Sequence, residues 1–359
     1  MARPDRPPQD QTSHPMAFAL VFLVGSCLSL AMTPVAARLG RRWQMVDTPG
    51  GRRQHTGVVP RTGGVALYIP FLVAVLLAVV LGRQLPAPEG PDPKEPLRIA
   101  AILLGSTFMF LVGLVDDRRE LKPRAQLLAQ LAAGAIAMAG LVFIERVRDP
   151  FTDTLIVLPR FWTVLITLVW VSGMINTVNF LDGVDGLAAS VAAVVAAVLF
   201  IDMFQAGQYS VSLLPLALLA TTLGFLPANF YPAKVFMGSS GSFFLGYALA
   251  TVSIAAGPRL AMMLLMLLVP IIDVAWLILV RLRRAPGAFS HGDRRHLHFR
   301  LLDLGFSQRQ IVLAYTSVSA AFGLLALWVS SRLFKLGALV VLGAVILAGL
   351  AVVASRSER

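Results

Sequence analysis

The feature that most limits what this chain can fold into is a succession of apolar runs, each close to the thickness of a bilayer. They fall near 16–37, 63–82, 99–115, 125–144, 161–179, 187–204, 211–228, 241–257, 260–280, 310–330 and 336–354. A helix crosses the hydrocarbon core with about 20 predominantly apolar residues. The spacing therefore predicts an all-α, polytopic membrane protein with about eleven transmembrane helices. Composition agrees: 57% of the 359 residues are hydrophobic and 14% are charged, against about 25% charged in soluble domains. Pro215, Pro227 and Pro270 fall inside runs and mark places for a kink or a broken helix, tolerated where neighbours satisfy the freed backbone.

Residues 1–15 are polar and Pro-rich and read as a disordered tail. The apolar run that follows is too long for a signal-peptide core and lacks a cleavage site, so it reads as the first anchor. Residues 16–354 then form one integral-membrane domain, with a short tail at 355–359. No repeat of solenoid length interrupts it. The single cysteine, Cys27, excludes an internal disulfide and reads as a packing residue.

The formal charge is +12, and its distribution orients the chain. Arg38, Arg41, Arg42, Arg52, Arg53 and Arg61 follow the first run. Arg118, Arg119, Lys122 and Arg124 follow the third, and Arg281, Arg283, Arg284, Arg294, Arg295, Arg300 and Arg309 follow the ninth. These loops share one side, which the positive-inside rule makes cytoplasmic. The N-terminus is then outside and the C-terminus cytoplasmic. A basic balance also fits anionic lipid and phosphate ligands. Nucleic acid is a poor partner, because no basic helix or zinc motif accompanies the charge.

Four polar segments fall on that same side. Asp116-Asp117 ends the third run; adjacent carboxylates there take a divalent cation or a proton, or are an ordinary charged helix end. Asn176, Asn179, Asp182 and Asp185 are spaced by three between the fifth and sixth runs. Carboxylates at a membrane edge are costly and read as a functional site; the alternative is a polar helix–helix seam. Gly183 and Gly186 argue that the helix breaks there. Gly238-Ser239-Ser240-Gly241-Ser242 opens a helix and offers backbone N–H groups to phosphate, or is a turn with a serine cap. His291 to His298 forms a cationic patch able to grip a pyrophosphate, or a solvated basic loop. Asp273, inside the ninth run, needs a partner. Residues 52–64 form a basic, turn-rich loop fit for phosphate contact or for a plain cytoplasmic loop. Together these segments suit Mg²⁺-assisted phosphoryl transfer between a soluble nucleotide compound and a lipid. A transporter would want polar groups across the midplane rather than on one face.

In this order, the segments resemble the polyprenyl-phosphate N-acetylhexosamine-1-phosphate transferases, relatives of the phospho-N-acetylmuramoyl-pentapeptide transferases. The run from Asn176 through Ala188 carries most of the likeness, with Lys234-Val-Phe-Met-Gly238, and Asp116-Asp117 with Lys122-Pro123 behind it. His55, Pro60, Arg61, Gly63 and Gly64, the loop ending His296-Leu-His298, and the eleven runs favour the hexosamine branch. The resemblance implies a bacterial plasma-membrane enzyme with its active site facing the cytoplasm. It would pass a sugar-1-phosphate from a UDP-N-acetylhexosamine to undecaprenyl phosphate, releasing UMP and starting a cell-envelope glycan. Mg²⁺ would assist, with Mn²⁺ as a substitute, and a homodimer is left open. By the same resemblance Asp116 and Asp117 handle lipid phosphate and metal, and Asn179 sits at the metal. Asp182 and Asp185 orient the nucleotide sugar. Asn176, Asn229 and Phe236 bind substrate, Phe236 by stacking on uracil, and Arg295, His296 and His298 face the diphosphate. Two positions depart from the pattern: Ser239 stands where a metal-binding Asp is usual, and Phe299 where a further His is common. Serine is a weaker oxygen donor to a hard cation, so a catalytically weak or inactive relative that binds lipid phosphate or nucleotide sugar is the alternative.

Overall fold

The computed structural model describes residues 13–48, 57–87, 90, 92–149, 151–152, 154–255, 257, 259–282, 296–329 and 331–357. Most of the predicted N-terminal tail lies outside these residues, as do His55, His291 and Arg295. Among the described residues there are thirteen helices. They are α1 (Ser13–Arg42), α2 (Gly63–Gly82), α3 (Glu95–Arg119), α4 (Pro123–Ala139), α5 (Arg160–Leu181), α6 (Leu187–Gln205) and α7 (Tyr209–Asn229). Then come α8 (Gly238–Ala255), α9 (Leu260–Met266), α10 (Leu268–Leu282), α11 (Leu297–Asp303), α12 (Gln308–Trp328) and α13 (Arg332–Ser357). Two small antiparallel pairs join them: β1 (Val46–Asp47) with β2 (Val59–Pro60), Val46 opposite Pro60, and β3 (Arg146–Arg148) with β4 (Leu155–Val157), Arg146 opposite Val157.

Each predicted apolar run is helical. In lipid the backbone must satisfy its own hydrogen bonds, and a helix does so within one segment. Among the described residues seven helices are long and apolar enough to cross a membrane: α1, α2, α3, α5, α6, α7 and α12. The pair α9 and α10 adds an eighth if counted as one span; the two are bent by 78°. Pro270 lies in the first turn of α10, where a missing N–H costs nothing. Pro215 and Pro227, by contrast, stay inside an unbroken α7.

The bundle is centred on α8, of which every residue is buried. Helices α2, α3 and α5 pack around it, α1 and α7 close against α2, α4 bridges α3 and α5, and α12 lies on α6. Buried hydroxyls find acceptors one turn back, as Thr251 does on the Tyr247 carbonyl at 2.8 Å and Thr222 on Leu218 at 2.6 Å. That local bonding removes the penalty of an unpaired polar group in an apolar core. Ser29 Oγ goes further and lies 2.9 Å from the Ala66 carbonyl and 2.7 Å from that of Thr221, joining α1 to α2 and α7. Cys27 is exposed on the outer face of α1, not packed inside as its apolar run had implied.

Alternate helix ends meet at the same end of the bundle. One end gathers the α1–α2 loop, the α3–α4 turn, the α5–α6 turn, the α7–α8 loop and α11. The polar segments singled out in the sequence therefore converge, and the first turn of α8 is where they meet.

Candidate active site

Gly238 starts α8 with φ +70, a left-handed conformation that glycine adopts without strain. A Cβ there would lie 2.4 Å from the Arg61 carbonyl oxygen and 2.8 Å from each carboxylate oxygen of Asp117. Conformation and space both demand glycine. The first N–H groups of a helix lack intrahelical acceptors, and here the chain supplies them. Ser239 N–H donates to Asp117 Oδ1 at 2.7 Å, and Ser240 N–H to Oδ2 at 2.9 Å. Gly238 N–H donates to Asp182. The helix start expected to receive phosphate thus already holds two carboxylates of its own chain, in a place whose dipole favours anions.

Asp117 comes from the last turn of α3. Arg61 Nη2 lies 3.9 Å from its Oδ1. The Arg61 loop is pinned to the α7–α8 loop by backbone bonds, Phe236 N–H to Pro60 O at 2.8 Å and Gly63 N–H to Phe236 O at 2.9 Å. Asp182 arrives because α5 ends at Leu181, and Gly186, at φ +79, turns the chain into α6. Burial pushes the Asp182 carboxyl well above the usual carboxylate range. The charge of Asp117 adds to that push, Arg61 opposes it, and Asp185 adds a little more. Asp117 and Asp182 both feel the Arg61 guanidinium.

The other candidates hang from the same frame. Asn179 Oδ1 accepts from Ser242 Oγ at 2.9 Å, tying α5 to α8. Asp185 Oδ2 accepts from Ala233 N–H at 2.9 Å and so fixes the α7–α8 loop. Asn229 Nδ2 donates to Val235 O at 3.1 Å, while its Oδ1 is buried with no partner among the described residues. Phe236 is half-buried beside it in the same loop.

His296 and His298 close the cleft from α11. The His296 ring lies 4.7 Å from Phe180 and 5.5 Å from His298, nearly parallel to the latter at 6°. Its Nδ1 is 2.9 Å from Asp273 Oδ2, and Leu297 N–H donates to Asp273 Oδ1 at 2.9 Å. The partner that Asp273 lacked on sequence is therefore His296. His298 is buried against Gly183, where a Cβ would come within 2.8 Å of its Nε2. Burial, with His296 as a second cause, holds the His298 imidazole down to about 3, so it stays neutral.

Two expected site residues stand apart. Asp116 Oδ1 accepts from Leu121 N–H at 2.9 Å and Gln126 Nε2 at 2.8 Å, stapling the α3–α4 turn where Glu120 takes φ +48. Asn176 exchanges two amide bonds with Gln130 of α4, at 2.9 and 3.0 Å. That is a helix–helix clamp, and it realises for Asn176 the seam that was the alternative for its whole segment. Sequence reasoning put Arg61 only in a phosphate-contacting or plain basic loop; its place ahead of the Gly63-Gly64 pair was the available signal. Gln130 carried none beyond being polar within an apolar run, and Ser242 was singled out only as part of the Gly/Ser-rich turn.

Residues 99–257 match the family described as glycosyl transferase family 4. The chain is 32% identical to the decaprenyl-phosphate N-acetylglucosaminephosphotransferase of Mycobacterium leprae, over 93% of this chain and 89% of that one. The chain belongs to this family. It is also 29% identical to the probable undecaprenyl-phosphate N-acetylglucosaminyl 1-phosphate transferase of Bacillus subtilis, over 87% of this chain and 85% of the relative. A phospho-N-acetylmuramoyl-pentapeptide-transferase of Staphylococcus aureus is 29% identical over 87% of this chain and 98% of its own length. Family membership and the apolar helices make the protein a multi-pass membrane enzyme. The matched segment, 99–257, holds Asp117, Asn179 and Asp182, the side chains that bond the start of α8, but not Arg61.

Proposed function

We propose that the protein transfers a sugar-1-phosphate, from a UDP-N-acetylhexosamine, to a polyprenyl phosphate. An oxygen of the lipid phosphate attacks the sugar-proximal phosphorus, a P–O bond forms, and the bond to the bridging oxygen breaks to release UMP. The relatives named above act on undecaprenyl or decaprenyl phosphate by their names. The observation that carries the reading is the first turn of α8, an anion seat beside an arginine, gathered at one end of a membrane bundle. Phosphoryl transfer needs mainly positioning and charge stabilisation, and the seat supplies both. Arg61 is the side-chain donor for phosphate oxygens, and the Gly238, Ser239 and Ser240 N–H groups hold the Asp182 and Asp117 carboxylates in place beside it. Asp117 sits where the lipid phosphate enters, and Asp182 faces the nucleotide sugar. Asp185 and Asn229 shape the α7–α8 loop, whose orphan Asn229 Oδ1 fits the N–H of a uracil stacked on Phe236.

A divalent cation fits these residues. Asp117, Asn179, Ser239 and Asp182 offer only hard oxygen donors, and their carboxylates crowd one another. Among the described residues no three His, Cys, Asp or Glu side chains form a ready-made cage. Mg²⁺ does not need one, since it binds through one or two carboxylates together with waters and substrate phosphates. When bound it would neutralise charge on the transferred phosphoryl group and its leaving oxygen. Ser239 leaves the frame intact, because its contact with Asp117 is made by the backbone N–H, which any residue but proline would provide at 239.

We place this end in the cytoplasm of a bacterial cell, since it carries Arg38, Arg41, Arg42, Arg61, Arg118, Arg119, Lys122 and Arg124. Eleven crossings, with α9 and α10 as one, bring the C-terminus to the same side. The test is UMP release by purified protein from UDP-N-acetylhexosamines with polyprenyl phosphate and Mg²⁺. Turnover that needs both lipid and cation supports the reading. Well-folded protein that turns over no such donor overturns it in favour of a binding protein.

A further inference from the structure

We infer that Asp273 is a positioning residue for this reaction, acting through His296 to set which ring nitrogen keeps its proton. The inference rests on the reading of His296 as a phosphate-facing group. Asp273 lies in α10, just after the 78° break, and is 3% exposed. A carboxylate there is costly unless its oxygens are bonded. Both are: Oδ2 to His296 Nδ1 and Oδ1 to Leu297 N–H, each at 2.9 Å. The recess around Asp273 is also lined by His298 and Tyr315. Among the described residues His298 Nε2 and the Tyr315 hydroxyl are buried without a partner, so neither of these atoms bonds the carboxylate.

An ionised carboxylate only accepts, so the proton of the Asp273–His296 bond resides on Nδ1. The opposite nitrogen, Nε2, makes no bond among the described residues and is not one of the buried orphan atoms. It is the ring's free edge, and with the proton on Nδ1 it presents a lone pair that accepts a hydrogen bond beside a phosphate. Asparagine at 273 would reverse this. Its single oxygen must serve Leu297 N–H, because an amide NH₂ facing that N–H would set donor against donor. The NH₂ then faces His296 Nδ1, which must accept, and the ring proton moves to Nε2. There the variant ring donates to a bound diphosphate, where the wild-type ring can only accept.

Asp273→Asn should therefore lower kcat by about 10–100-fold, as loss of an outer-shell partner does, and leave KM for the nucleotide sugar within about threefold. In a His296→Gln background the same change should cost less than about twofold more, because its effect runs through the ring. Nitrogen-15 NMR of labelled histidine reads the coupling directly, with the proton on Nδ1 in the wild type and on Nε2 in Asp273→Asn. A parallel rise in KM with additive losses in the double variant, or a wild-type proton on Nε2, overturns the inference. If Asp273→Asn fails to fold, the wild-type spectrum still decides. If the wild type releases no UMP, the reaction falls, while the coupling stands or falls on the spectrum alone.

Discussion

The two ends of the helix bundle carry similar residues in opposite arrangements. At the end away from α8's first turn, Asp92, Asp202 and Glu95 each meet a base or a hydroxyl. Arg98 Nη1 lies 2.7 Å from Asp92 Oδ2, Arg259 bonds Asp202 and also Gln208 at 2.7 Å, and the Glu95 carboxylate takes the Ser210 hydroxyl. At the other end Asp117 and Asp182 crowd together beside Arg61 and lean on the first N–H groups of α8. Paired charge costs little and does structural work. Like charges held close together come at a cost, which the surrounding structure must impose. Among the described residues, the crowding of like charge, rather than the presence of charge, separates the site from the far end.

That contrast can be broken in four places. Asp117→Asn strikes the unbalanced end hardest. One amide oxygen cannot serve both Ser239 and Ser240 N–H, and the charge is gone. The rate of UMP release should fall on the order of 10³-fold, the scale for losing a preorganised charge-stabilising group; full retention would remove Asp117 from the site. Arg61→Gln comes next, at about 10–100-fold by the same reasoning, and it carries a pH signature. Asp182 binds its proton more tightly folded than unfolded. Without divalent cation, stability should thus fall as pH rises from the ordinary carboxylate range, near about 4, through the raised folded value. Mg²⁺ should reverse the loss. Because Arg61 holds Asp182 down, Arg61→Gln should move the acidic limb of kcat/KM to higher pH. A limb that stays put would mean Asp182 is not the group titrating.

Ser239→Asp tests the departure from the family pattern. It adds a fourth carboxylate without disturbing the backbone bond to Asp117. At limiting Mg²⁺ the rate should rise about tenfold, the scale of roughly 1.4 kcal/mol of added transition-state stabilisation. An unchanged Mg²⁺ titration would place the cation away from 239. The smallest effect belongs to the balanced end. Arg98→Ala should leave UMP release within about twofold and cost at most about 1 kcal/mol of stability, as exposed pairs do. A large loss of activity there would erase the difference between the ends.

Much of this was legible in the residues, for identifiable reasons. The apolar runs had to become helices because lipid leaves the backbone no other partner, and the break at Gly183 to Gly186 followed from its glycines. What resisted reading was the direction of individual side chains. Asp116 and Asp117 are neighbours, yet one staples a turn and the other caps α8, because successive helix positions point about 100° apart. Asn176 and Asn179 are one turn apart, yet α4 claims the first and α8 the second. Pro270 accompanied a sharp bend while Pro215 and Pro227 did not, since neighbouring packing, not proline alone, decides the outcome. Asp273 announced only a need; its answer lay 23 residues on, beyond any local pattern.

The bond between Asp117 and Ser239 spans 122 residues of chain. During synthesis α3 must therefore enter the membrane long before the helix that will satisfy its last carboxylate exists. Until α8 emerges, Asp117 has to remain at the water's edge, and α3 cannot settle to its final depth. The last turn of α3 is in this sense a latch left open, and arrival of the eighth helix closes it.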